Sequence, residues 1–319
     1  MKPTSLQIGA AALPLMLSAC GGGGGGGVAS ISPPPQTPTP TPSPTPTPTP
    51  TPIPLPGPIG LTGAASFATY SAHTDASGNP VSGKGGVEFS YSAPDNSYTV
   101  KLPGFDAGKL VTVTANGVYD DSGLIELTST INRVTDGNST TLQPVEVALD
   151  APGTSGLQYT SMAQWMEPKA DWWHVTGLFV YGIPTAAGDM PVTGSADYSG
   201  TISGITNGGT SLVFGSIDFS FNFGAGTLSG KMEPFYAPVY DDIGLGTYTF
   251  TNTVYSTGST SFSGSFIAPP GADGPSSFEG TFNGPKAVEL MGSWKAPFKD
   301  PVDGTTGTMS GVFGGSRGP

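Results

Sequence analysis

Cys20 is the only thiol in the 319-residue sequence, and its neighbours give it a specific use. Leu17-Ser18-Ala19-Cys20 follows the lipobox pattern, in which small residues lead into a cysteine whose sulfur is the nucleophile that takes up diacylglycerol. Lys2 supplies a positive start, and Leu6–Leu17 is apolar apart from Gln7. About a dozen residues are too few for a permanent transmembrane helix. We therefore expect a signal peptide over 1–19, cleavage before Cys20, and a membrane anchor of diacylglycerol and palmitate on that residue. An ordinary signal peptide with an incidental cysteine is the competing reading. Gly21 stands where an aspartate would signal inner-membrane retention, so outer-membrane sorting is expected.

Other reactive groups are scarce. Only His73 and His174 are present, so a zinc site built from Cys and His has no cluster to form on, and no resident metal or cofactor is expected. His174 follows Trp172-Trp173 and could act as a haem axial ligand walled by aromatics; the plainer reading is a histidine beside an aromatic cluster. His73 reads as a solvent-facing loop residue. Gly314-Gly315-Ser316-Arg317-Gly318 has the letters of a nucleophile elbow, but that motif needs a helix after the serine, and we expect a chance match. Asp120-Asp121 and Asp241-Asp242 lack the ligand spacing of a calcium loop and read as solvated turns rather than as a glycosidase pair. Gly224-Ala225-Gly226 precedes no helix and is no phosphate cradle. No nucleophile–base pair emerges, so no enzyme is expected.

The aromatic residues are more informative. Trp165, Trp172, Trp173, Phe179 and Tyr181 crowd two apparent strands, and Phe235, Tyr236 and Tyr240 fall in an apparent long loop ending at Asp241-Asp242. Exposed aromatics with acidic neighbours could anchor a protein partner; equally, they could cap a barrel end.

These residues need elements to position them. Gly21–Gly27 reads as a flexible run, and Pro33–Pro52 is largely a Thr-Pro repeat extended by proline-rich sequence to Pro58. Such a tract favours polyproline II; at roughly 3.1 Å per residue it reaches about 80 Å, a spacer rather than a docking motif. Beyond Ile59 the pattern is period two, the mark of half-buried strands. Val111–Thr114, Ile125–Thr128, Val145–Val147 and above all Ile217–Phe223 show it, and no segment sustains a helical period. About 260 residues remain for folding, without any disulfide.

The expectation is an all-β protein: a smaller β-domain over 59–156, then eight to ten strands over 157–319 that close into a barrel or, alternatively, a two-sheet sandwich. The net charge is −12; 60–156 carries 4 basic and 10 acidic residues and 157–319 carries 6 and 13. Acidity in both parts argues against nucleic acid and against docking on anionic lipid.

Phe278–Gly292 (FEGTFNGPKAVELMG) and Thr306–Arg317 (TGTMSGVFGGSR) resemble the barrel signature and last strand of transferrin-binding protein B and its relatives, as does the hairpin Gly215–Met232. Asn283 replaces the family's usual aromatic, and Met291 a common glycine. The resemblance implies a lipidated N-terminus at Cys20, a spacer over 20–58, a β-rich handle domain over 59–156 and an antiparallel eight-stranded β-barrel over 157–319. It implies a surface-exposed outer-membrane binding lipoprotein that captures an extracellular protein, a haem carrier or another iron source. A cognate outer-membrane transporter is a further implied partner. The family's ligand-reading loops lie mostly in the handle, where 60–156 offers no matching motif, so the ligand-binding candidates are those read from the residues themselves: Phe235, Tyr236, Tyr240 and His174. A structural or adhesive envelope lipoprotein is the alternative.

Overall fold

The structure is a computed structural model. It describes residues 64–318 except 76, 93, 95–96, 106, 111–123, 136–138, 151–155, 170–171, 208–210 and 238–241. The expected signal peptide, Cys20, the spacer, the Val111–Thr114 run and Tyr240 lie outside the described residues.

All pairing is antiparallel, in three sheets. A four-stranded sheet has the order β1 (Ala64–Ser66), β4 (Glu88–Ser92), β5 (Ser97–Lys101), β6 (Ala107–Leu110). A six-stranded sheet has the order β3 (Pro80–Lys84), β2 (Ala68–Thr74), β10 (Trp172–Gly182), β9 (Thr160–Lys169), β8 (Ser139–Asp150), β7 (Leu124–Thr135). The third holds β11 (Ser195–Thr206), β12 (Leu212–Asn222), β13 (Thr227–Ala237), the short β14 (Ile243–Gly244), β15 (Tyr248–Val254), β16 (Ser261–Gly264), β17 (Ser277–Asn283), β18 (Glu289–Lys299) and β19 (Thr306–Arg317).

In the third sheet eight strands follow one another as β15-β13-β12-β11-β19-β18-β17-β16, with β14 beside β13. Alternation drives this part: Ile217, Phe219 and Phe221 are buried while Ser220 and Asn222 face water. One apolar cluster takes residues from all eight strands, which requires the sheet to curl around a common core. Phe219 is its hub, with Phe221, Phe250, Phe262, Phe278 and Phe313 at ring distances of 5.3–5.9 Å. The ladder does not close. Between β15 and β16 the described backbone is joined at the Thr249–Ile267 bridge, through hydrogen bonds of 2.7 and 3.1 Å.

The expected start of the barrel at Leu157 needs correction, because β9 and β10 belong to the six-stranded sheet with β2. Trp165, Phe179 and Tyr181 consequently pack against Phe89 and Tyr98 of the four-stranded sheet, not inside the barrel. The run Leu178-Phe179-Val180-Tyr181 explains this: it is apolar at every position, the pattern of a strand covered on both faces. Phe179 and Tyr181 face the four-stranded sheet. Leu178 and Val180, with Tyr70, Ala72 and Met162, face the outer wall of the curled sheet at Ile205, Met291 and Val312. Gly177 makes room for this arrangement, since a Cβ there would sit 2.1 Å from the Trp165 ring.

Candidate functional site

The signature between Asn283 and Glu289 builds the seam between the six-stranded sheet and the barrel. Gly284, Lys286 and Ala287 all have positive φ (70°, 55° and 57°), turning the chain sharply between β17 and β18. The turned backbone is held from several sides. Thr185 donates its hydroxyl to the Gly284 carbonyl at 2.7 Å, the Lys286 N–H donates to Asp189 Oδ2 at 2.6 Å, and the buried Tyr198 hydroxyl donates to the Ala287 carbonyl. Burial holds the Tyr198 hydroxyl pKa well above the phenol range.

Asn283 and Glu289 reach across the seam. Asn283 Nδ2 donates to Thr160 Oγ1 at 2.8 Å, and Pro184 bridges to the Asn283 backbone. Glu289 is buried and accepts the backbone N–H groups of Gln158 and Tyr159 at 2.5 and 2.9 Å. Burial raises its pKa above the usual carboxylate value, and those N–H donors partly oppose the shift. On the other side of the seam Ser82 donates to the Trp294 carbonyl and the Lys84 N–H to Glu279 Oε1, at 3.1 and 3.0 Å. Tyr70 lies in the same seam, its hydroxyl pushed up to about 12 by burial. Two clefts of about 530 and 520 Å³ adjoin it; serines and Glu279 line both, and Lys84 lines the first.

The second region of interest is the barrel end formed by the β18–β19 turn and the connections β11–β12, β13–β15 and β16–β17. Ser211 Oγ donates to the Tyr236 hydroxyl, which donates to Asp300 Oδ2, both at 3.2 Å. The Thr308 N–H donates to Asn207 Oδ1 at 2.7 Å. A Cβ on Gly246 would lie 3.1 Å from Pro269, and one on Gly271 would lie 3.7 Å from the Lys299 side chain. The described parts of the four connections therefore stand together at one end of the barrel as a crown.

Phe235 and Tyr236 are not loop residues: both lie in β13, opposite Phe214 and Val213 of β12. Strand alternation separates them, so Phe235 is exposed on the outer wall while Tyr236 joins the barrel core. Gly215 and Pro234 had masked the strand signal in the sequence. Asp242 is exposed, and Asp241 and Asp120-Asp121 lie outside the described residues. His174 sits in β10 opposite Glu167, and its side chain is outside the described part. His73 is half-buried in β2, not in a loop, with its ring 6.1 Å from Trp165. Its Nδ1 and the Trp165 Nε1 are buried without a hydrogen-bond partner among the described residues. Burial lowers the His73 pKa, against the opposing pull of Asp75. Ser316 is part of the β19 ladder, paired with Ser199 and Glu289, which is no elbow geometry. Among the described residues no group of three His, Cys, Asp or Glu could hold a metal, and no helix is long and apolar enough to cross a membrane.

Residues 190–317 match the family model of the C-lobe and N-lobe β-barrels of transferrin-binding protein B. The match begins just before β11, as the sheet topology does, and over this stretch the resemblance read from the motifs holds. No curated protein sequence matches the chain. Among solved structures, it is similar to a double mutant of transferrin-binding protein B from Haemophilus parasuis Hp5, at 16% identity and TM-score 0.40, covering 74% of this chain and 54% of that one. A mutant of the same protein from Actinobacillus pleuropneumoniae H49 gives 14% identity and TM-score 0.36, covering 80% and 100%. The isotype 1 protein from serogroup B Neisseria meningitidis gives 12% and 0.34, covering 80% and 75%. The chain thus spans about half the length of the Haemophilus parasuis structure.

Proposed function

We propose that this protein is a non-enzymatic binding lipoprotein, lipidated at Cys20, sorted to the outer membrane and displayed outside the cell, where it captures an extracellular protein. The observation that carries the reading is the match of residues 190–317 to the barrels of transferrin-binding protein B. The lipobox and the Thr-Pro tract support it, because an anchor followed by a long stiff spacer suits a module that works at a distance from its membrane. A transferrin-type iron carrier is the first candidate ligand, since the similar structures are named for transferrin. A cognate outer-membrane transporter would then receive the cargo.

Intact cells bearing the full chain should lose the folded part to added protease and should retain labelled transferrin under iron limitation. A Cys20→Ala variant should release the protein from the membrane fraction. Complete protection of the folded part from protease sinks surface display. Display without retention of transferrin or any other serum protein sinks the capture role and favours an envelope or adhesive role. Haem is the subordinate ligand: titrating the protein with haem should shift the Soret band, and His174→Ala should abolish the shift.

A further inference from the structure

We infer that the crown at the β18–β19 end of the barrel is the docking surface, and that it takes a basic protein segment carrying a large apolar side chain. This deepens the capture role proposed above and rests on it. Seven large apolar side chains are exposed among the described residues, and four of them belong to this end of the barrel: Phe214 (40%), Phe235 (44%), Ile267 (64%) and Val302 (69%). Val302 is the tip of the β18–β19 turn, and Ile267 follows β16 in the neighbouring connection. Phe214 and Phe235 are direct cross-strand partners on the outer wall below that rim.

Charge identifies the occupant. The described rim residues carry four carboxylates, Asp242, Asp273, Asp300 and Asp303, against one cation, Lys299. Hydrogen bonds from the Thr305 N–H and hydroxyl, at 2.8 and 2.7 Å, hold the Asp303 pKa below the usual carboxylate value and keep it ionised. On the outer wall Lys231 pairs with Glu233 at 2.8 Å and lies 3.9 Å from Asp218, whereas none of the four rim carboxylates has an ion-pair partner among the described residues. The opposite end of the barrel is different: Lys286 and Arg317 there offset Asp189 and Asp197, and of the large apolars only Val192 and Val288 are exposed. Exposed apolar side chains set among carboxylates draw a segment of the opposite sign and hold it through the apolar anchors.

The test pans a random peptide library against the full chain and synthesises the enriched peptides. These should carry excess Lys and Arg with at least one large apolar residue, and their affinity should fall roughly tenfold between about 50 and about 300 mM salt. The combined Phe235→Ser, Ile267→Ser and Val302→Ser variant should lose about tenfold or more in affinity. An Asp242→Asn, Asp273→Asn variant, which leaves the turn hydrogen bonds of Asp300 and Asp303 intact, should lose most of the salt dependence. All of these side chains are exposed, so unchanged melting curves confirm that folding is preserved. Peptides without basic excess, or peptides held equally by both variants, overturn this surface while the capture role stands; that role is judged separately on cells.

Discussion

Glu289 carries two tasks with one side chain: it caps the start of β9 and fastens the six-stranded sheet to the barrel. Replacing it with Gln puts an amide donor where an acceptor is needed, so Glu289→Gln should cost on the order of 1–3 kcal/mol at neutral pH, read from denaturant melts. Because the folded-state pKa is raised, the folded protein holds this proton more tightly than the unfolded chain. Its contribution is therefore full below pH 4.5 and declines as pH rises through the folded pKa. The variant should lack this decline. His73 acts in the opposite sense: with its pKa lowered by burial, stability should fall as pH drops below 6.5, and His73→Gln should remove that loss. Phe219 tests the barrel core directly. It contacts five other rings, so Phe219→Ala should cost about 3–5 kcal/mol.

Among the elements, the Gly284–Val288 turn stores the clearest backbone strain. Lys286 is exposed with φ 55°, a region where non-glycine residues pay roughly 1 kcal/mol, so Lys286→Gly should leave stability unchanged or raise it by up to about that amount. A drop in melting temperature for that variant would contradict the strain argument. The strands themselves were legible wherever one face is wet: Ile217–Phe223 announces its period in the sequence because solvent writes every second residue. β10 was readable as a strand but not as a member of the right sheet, since Leu178-Phe179-Val180-Tyr181 has no wet face and no pattern to say which layers cover it. The loop expected at Phe235-Tyr236 failed for another reason. Gly215 and Pro234 sit opposite each other in the β12–β13 ladder, and both residue types ordinarily argue against strand. The crown was half visible, as aromatics followed by acids. Ile267 and Val302 join it only through the fold, from connections about 30 and 65 residues further along the chain.

For the whole molecule, the layers depend on one another. The barrel wall at Ile205, Met291 and Val312 is dry only because the six-stranded sheet covers it. Met291→Asp would bury an unpaired charge there, and should cost several kcal/mol and expose dye-binding apolar surface, although Met291 touches neither the barrel core nor the crown. The long-range pairings add a consequence for timing. β2 pairs with β10, about 105 residues later, and β11 with β19, about 110 residues later. Neither layer can be completed from local hairpins, so refolding should fall in the millisecond-to-second regime of non-local β-topologies. Until β10 forms, β2 has only β3 beside it, and until β19 forms, β11 has only β12. Each of these two sheets therefore carries a bare, unsatisfied edge for as long as its last strand is missing.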